Sequence, residues 1–168
     1  ADIDEMQSML EETLSFARDD AREEAAVETD LAALLKSLCD TMSETGPPVV
    51  FAASAPLPAT CRPVALRRAI RNLLDNAVRY GGAANVSLSQ GKGEAVIEIT
   101  DDGPGVPADM REKVFQPFFR LEGSRSRETG GTGLGLSSAR AILRRQGGDI
   151  TLQDASGGGL LVRLTLPL

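Results

Sequence analysis

Asn72-Leu73-Leu74-Asp75-Asn76-Ala77-Val78-Arg79-Tyr80-Gly81 is the stretch whose reading decides the fold. As a helix it carries two stripes. Leu66, Ile70, Leu73 and Ala77 recur at spacings of four, three and four, which predicts a face turned to the core. Asn72, Asn76, Arg79 and Tyr80 fall together roughly 110° away, at about 100° per residue. Amide oxygens suit a hard cation such as Mg²⁺, a guanidinium suits phosphate, and a phenol ring can cover a base. The plain alternative is a solvated polar face.

Working outward, this helix begins near Pro63, where a missing amide hydrogen costs nothing, and stops at Gly81-Gly82. Upstream, Thr29 or Asp30 caps a helix over about 30–45 that turns Leu31, Leu34, Leu35, Leu38 and Met42 inward; Gly46-Pro47-Pro48 ends it. Val49–Ala52 reads as a short strand, and the stretch holding Pro56 and Pro58 as loop. Downstream, alternation predicts strands over Asn85–Gln90, Ala95–Asp101 and Leu160–Leu166, with a shorter one at Asp149–Gln153. The span 102–132 is irregular apart from a helical turn near Ala108–Phe115, and Gly133–Gln146 makes a helix with Leu136, Ala139, Ile142 and Leu143 inward. This order predicts an α/β (α+β) two-layer sandwich, a mixed β-sheet with helices on one face. Strand and helix do not alternate strictly, which disfavours a Rossmann fold.

Residues 1–18 read as a helix with Ile3, Met6, Leu10, Thr13 and Ala17 on one face, widened by Met9, Leu14 and Phe16. So broad an apolar face predicts a packing partner, such as a second copy of the chain. Arg18–Glu28 is charged and alanine-rich and reads as a linker.

At 168 residues the chain can hold one well-cored domain with a short appendage. A net charge of −6 argues against nucleic acid as the main partner. No apolar run is long enough to span a membrane, and no signal-peptide pattern opens the sequence. Cys39 and Cys61 read as buried or idle thiols of a reduced, cytoplasmic protein, and without histidine a zinc site is disfavoured. The absence of histidine also removes triads and imidazole bases. The chemistry must rest on carboxylates, amides, arginines and backbone.

Two glycine-rich stretches point to a ligand. Asp101-Asp102-Gly103-Pro104-Gly105-Val106 follows a strand, and Asp101 shares the parity of Ala95, Ile97 and Ile99, so its carboxylate points to the core side. A buried carboxylate must find donors, and an exocyclic adenine amine is one; a β-turn with incidental acids is the plain alternative. Gly130-Gly131-Thr132-Gly133-Leu134-Gly135-Leu136 leads into a helix, where exposed amides and the positive dipole end favour phosphate oxygens. It lacks the Walker ending and the strand of a Rossmann fingerprint, and a flexible tether is its alternative. Between them, Val114-Phe115-Gln116-Pro117-Phe118-Phe119-Arg120 sets three phenylalanines, read mostly as core anchors, beside Arg120, Arg125 and Arg127.

Together these stretches resemble the catalytic, ATP-binding domain of sensor histidine kinases, of the Bergerat-type ATP-binding fold. The wider superfamily also holds gyrase, a heat-shock chaperone and the mismatch-repair protein MutL. Asn72–Gly81 is similar to the family's N box, Asp101–Gly105 to its first glycine box, Phe115–Arg120 to its F box and Gly131–Leu136 to its second glycine box. The match covers roughly residues 29–168, and the wording is similar to that of osmosensor-type kinases.

The resemblance implies ATP and Mg²⁺ as cofactors and a role for each matched residue. Asn76 ligates Mg²⁺, and Asn72 contacts the phosphates or the metal. Arg79, where the family often has Lys, pairs with phosphate, and Tyr80 lies against the adenine. Asp101 accepts the adenine amine in a pocket shaped by Gly103 and Gly105. Gly131, Gly133 and Gly135 line the triphosphate and hinge a lid over about 119–132, with Thr132, Leu134 and Leu136 among the cofactor-binding residues. Arg120 stabilises charge on the γ-phosphoryl. Residues 1–28 then resemble the remnant of a dimerisation and phosphoacceptor hairpin plus linker, whose histidine-bearing helix is missing, in a fragment of a longer kinase. The implied partners are ATP or ADP, the histidine phosphoacceptor domain of the same kinase, a response regulator, and a second copy through residues 1–18. The implied setting is the cytoplasmic side of an inner-membrane sensor. Rival readings are an anti-sigma-factor-type serine kinase and a non-catalytic, nucleotide-gated interaction module.

Overall fold

The computed structural model describes residues 24–119 and 135–168, together with Ile3, Asp4, Met6, Gln7, Leu10, Glu11 and Leu14 of a helix at the start of the chain. The elements are β1 (Val27–Asp30), α1 (Leu31–Thr45), β2 (Val49–Phe51), β3 (Pro58–Cys61), α2 (Pro63–Gly81), β4 (Ala84–Gln90), β5 (Glu94–Thr100), α3 (Gly135–Arg145), β6 (Asp149–Asp154) and β7 (Leu160–Pro167). Two 3₁₀ turns, Ala108–Met110 and Lys113–Phe115, stand where one helical turn is expected.

Five strands form a mixed sheet in the order β2-β4-β5-β7-β6, parallel only between β2 and β4. The helices cover one face of it. Val86, Ala95, Ile97, Ile99, Ile150, Leu152, Val162, Leu164 and Leu166 of that face form one buried cluster with the helical residues. Two-layer α/β architecture is therefore the observed fold. The predicted stripe of α2 is its core face: Leu66, Ile70, Leu73 and Ala77 are buried, with Ala69 and Leu74 beside them. Each fully buried Leu or Ile there contributes about 1.5–3 kcal/mol of burial.

The helix ends follow local chemistry. Asp30 caps α1 by accepting from the Ala32 amide at 3.0 Å. Pro63 opens α2, whose preceding Arg62 supplies no side-chain cap. Glu24 supplies it instead, accepting from the Val64 amide at 2.8 Å and the Ala65 amide at 3.0 Å. Gly82, at φ 77°, closes α2 in the left-handed conformation.

Two expectations are corrected. The Pro58 region is not loop: Pro58–Cys61 pairs antiparallel with Val27–Asp30 as a separate two-stranded sheet. Proline is tolerated as the first residue of such an edge strand, because no ladder bond needs its nitrogen. For the same reason the linker does not run to Glu28, since Val27 and Glu28 already pair with Cys61 and Thr60. Both cysteines are free and buried, as read, and burial pushes the Cys39 thiol up to about 11. In the opening helix Ile3, Met6, Leu10 and Leu14 are all exposed. Among the described residues no helix is long and apolar enough to cross a membrane.

Candidate functional site

The polar face of α2 meets the start of α3. Asn72 and Asn76 are half-buried there, on the side of the helix away from the core stripe. Gly135, the first residue of α3, stands so close that a Cβ built on it falls 3.5 Å from Asn76 Nδ2 and 3.9 Å from Asn72 Cβ. The first amides of a helix lack intrahelical partners. Two carboxamides and a helix start are thus gathered at one place, without a bulky side chain between them. That set offers acceptors to a cation and donors to phosphate oxygens.

About 7.5 Å further along the α2 axis, at 1.5 Å per residue, Gly81 abuts Asp101. The approach leaves no room for a side chain, since a Cβ on Gly81 would sit 2.6 Å from Asp101 Cβ. Gly103 is equally confined, 2.8 Å from the Tyr80 carbonyl oxygen by the same construction. Asp101 lies just past β5 and is buried at 7% exposure, as its parity with Ile97 and Ile99 predicts. Its Oδ1 accepts from the Gly103 amide at 2.8 Å and the Leu160 amide at 3.4 Å. The third wall is the β6–β7 hairpin. Gly159, at φ 84°, rests on the Asp101 carbonyl oxygen so closely that any Cβ there would collide with it.

Burial pushes the Asp101 carboxyl up from the ordinary aspartate value, while the Gly103 and Leu160 amides pull it down and Asp102 adds to the rise. Both of these bonds use Oδ1. Among the described residues nothing donates to Oδ2, which leaves one oxygen of a mostly buried carboxylate open to a ligand donor.

The structure therefore brings Asn72, Asn76 and Gly135 together in one group and Asp101, Gly103 and Gly105 in another, with the end of α2 joining them. Tyr80 is half-buried beside Gly103, and Arg79 is exposed in the last turn of α2. Leu136 is partly buried against the core cluster. Arg120, Gly131, Thr132, Gly133 and Leu134 lie outside the described residues, as do the other predicted lid residues from Leu121 to Gly130. The three phenylalanines do not act alike. Phe115 is buried and Phe119 packs on the core, but Phe118 is 46% exposed and holds φ 64°, so it is not a core anchor. Gly81 and Gly159 were not among the expected site residues. The run Gly157-Gly158-Gly159 before β7 was the available signal.

Among the described residues no three acidic or thiol side chains converge as a metal site. The two carboxamides fit a cation that takes most of its ligands from phosphate and water, as Mg²⁺ commonly does.

Residues 61–168 match the family model described as histidine kinase-, DNA gyrase B- and HSP90-like ATPase. The chain is similar to the sensor histidine kinase GtrS of Pseudomonas aeruginosa, at 40% identity over 99% of this chain and 34% of that protein. It thus spans about a third of that curated relative's length. Among solved structures it is similar to the ATP binding domain of PrrB from Mycobacterium tuberculosis, with TM-score 0.71 and 27% identity over 86% of this chain and 98% of that one. It is also similar to full-length ShkA in complex with AMPPNP, with TM-score 0.79 and 27% identity over 96% of this chain and 35% of that one.

Proposed function

Since this chain belongs to the histidine kinase-, DNA gyrase B- and HSP90-like ATPase family, we propose that it is the catalytic domain of a two-component sensor kinase, moving the γ-phosphoryl of Mg-ATP to a histidine. That histidine sits on a dimerisation domain outside these residues, for the chain itself has none. The observation that carries the reading is the placement of two unlike groups along α2: Gly135 against Asn76 and Asn72, and Asp101 against Gly81.

In this reading the adenine amine donates to Asp101, and Gly103 and Gly105 let the ring approach backbone. Tyr80 lies along the base. Arg79 and the residues Gly131, Thr132, Gly133, Leu134, Gly135 and Leu136 surround the phosphates. Asn76, aided by Asn72, holds Mg²⁺, which when bound neutralises phosphate charge. Arg120 meets the charge that develops on the transferring group. The γ-phosphorus exchanges its bond to the ADP oxygen for one to the acceptor imidazole nitrogen, and ADP leaves with the bonding pair. Catalysis of this kind is mostly positioning and charge stabilisation.

The catalytic domain in this proposal runs from the start of β1 at Val27 to residue 168, and the residues before it include the remnant of the helical hairpin and linker. The exposed Ile3, Met6, Leu10 and Leu14 are the face for a second copy. A response regulator takes the phosphoryl onward, and the parent is an inner-membrane sensor with this part in the cytoplasm. The relatives' description as sensor histidine kinases supports this wider reading.

The test is phosphotransfer. Mixed with labelled Mg-ATP, the chain alone should acquire no acid-labile phosphate, and a supplied histidine-bearing helical domain should become labelled. Labelling of Ser or Thr instead would favour a serine kinase. Binding without any transfer would leave a nucleotide-gated interaction module.

A further inference from the structure

Arg140 lies on α3, five residues beyond Gly135, and its side chain is only 11% exposed. Its guanidinium forks onto the Glu112 carboxylate at 3.1 and 3.2 Å. The remaining edge donates from Nε to Asp149 Oδ1 at 3.2 Å, where Arg144 also donates at 3.0 Å. The same guanidinium lies 4.1 Å from the centroid of the Phe115 ring. One planar cation thus satisfies two carboxylates through its edges and an aromatic ring through its face, a combination that lysine cannot reproduce.

Its partners come from different parts of the chain. Glu112 and Phe115 belong to the turn from which the chain departs toward residues 120–134, Asp149 opens β6, and Arg140 belongs to the helix to which the chain returns. Arg140 is not what anchors α3 in the fold, because Ala139 and Leu143 of that helix are themselves fully buried in the core. The core contacts of the first turn of α3, the turn that brings Gly135 to Asn76 and Asn72, are slighter, since Leu136 is only partly buried against the core. The fork on Glu112 and Asp149 opposes a rotation or slide of that turn.

We propose that Arg140 is a positioning residue for the phosphate end of the nucleotide site. It fixes the start of α3 relative to the Phe115 turn, so that Gly135 stands at a set distance from Asn76. Asp101 is held by Gly81, Gly103 and the Leu160 amide, none of which touches Arg140, so the adenine end is independent of it. The inference rests on the ATP-binding reading above and names a further residue of that same site.

The experiment is calorimetric titration of Arg140→Met, Arg140→Lys and Glu112→Gln with Mg-AMPPNP and, by displacement, with adenosine. Methionine keeps much of the stem and removes the fork, and lysine keeps the charge and the cation–ring contact without the fork. Glu112→Gln, at an exposed carboxylate, weakens the pair without disturbing the core. Arg140→Met should lose about tenfold in Mg-AMPPNP affinity, a typical size for coupling between neighbouring sites, with adenosine affinity unchanged. Arg140→Lys and Glu112→Gln should fall between it and wild type. Equal losses for both ligands, or no loss for either, would overturn the inference while leaving ATP binding intact. Wild-type chain that bound neither ligand would overturn the ATP-binding reading as well. If Arg140→Met does not fold, the ratio measured in the other two variants decides.

Discussion

Asp101 and Asn76 stand beside the same helix, but backbone encloses the first and side chains surround the second. Around Asp101, Gly81, Gly103 and Gly159 bring three segments to contact distances that no side chain could share. Around Asn76, the neighbours are the half-buried Asn72 and the start of α3, with the exposed Arg79 one turn on. A wall of close-packed backbone has little freedom to adjust, so it suits a rigid flat group that must be told from similar ones. Side chains at a helix start can adjust, which in the proposed reading suits a phosphate chain whose length and charge change during turnover. The buried, one-sided carboxylate belongs at the first end for a further reason. Its free oxygen presents a strong acceptor in a mostly buried setting, where a ligand without the matching donor would leave it unpaired.

The largest effect should come from filling the backbone wall. Gly159→Ala combines positive-φ strain of about 1–3 kcal/mol with an overpacking penalty of about 1–3 kcal/mol, so about 2–6 kcal/mol of stability should be lost. Gly158→Ala, at φ 91° with nothing within 4 Å of its Cβ, should show the strain alone. Denaturant melts of the two variants give the difference directly, and equal melts would mean that the close approach to Asp101 is not enforced.

At the other end the effect should be smaller and should depend on metal. Asn76→Ala should weaken Mg-ATP binding by about tenfold, the size of one lost charge-assisted contact, and metal-free ADP binding less. Titrations with and without EDTA check this. Additive losses from the chelator and the substitution would show that Asn76 does not hold the metal.

The smallest effect concerns the cost of the buried carboxylate without ligand. Burial raises the Asp101 carboxyl above its ordinary value of 3.8. A raised folded value means that the protonated form favours the fold. That contribution is complete below the unfolded value and is lost as pH rises through the folded value. Asp101→Asn, whose amide oxygen can still accept from Gly103 and Leu160, should therefore melt a few degrees above wild type at pH 7. The gap should close as the pH approaches the ordinary aspartate value. Thermal melts across that range decide it, and a variant less stable than wild type at pH 7 would contradict the sign.

The same contrast explains what could be read from the sequence. The α2 stripe was legible because a 19-residue helix repeats its period many times. Asp101 was legible because β5 alternates cleanly on the side that joins the core. Both signals are local. Gly159 reaches Asp101 from far along the chain, with Leu160 donating to it across 59 residues, and no local pattern reports such an approach. Glu24 likewise caps α2 from 40 residues upstream of Val64, where Arg62 gives no sign of a cap. The β1–β3 pair escaped because each strand has four residues, too few for alternation to stand out beside Pro56 and Pro58. Phe118 was misread because ring size predicts burial, whereas its left-handed backbone turns it outward.

Calorimetric titration of Mg-ATP into the wild-type chain and into Asp101→Asn tests the central claim most directly. Saturable one-to-one binding to wild type is predicted, weakened in the variant by about 1.5–3 kcal/mol, the cost of exchanging a charged acceptor for a neutral one. Equal affinity in the two proteins, or no binding to wild type, would contradict it.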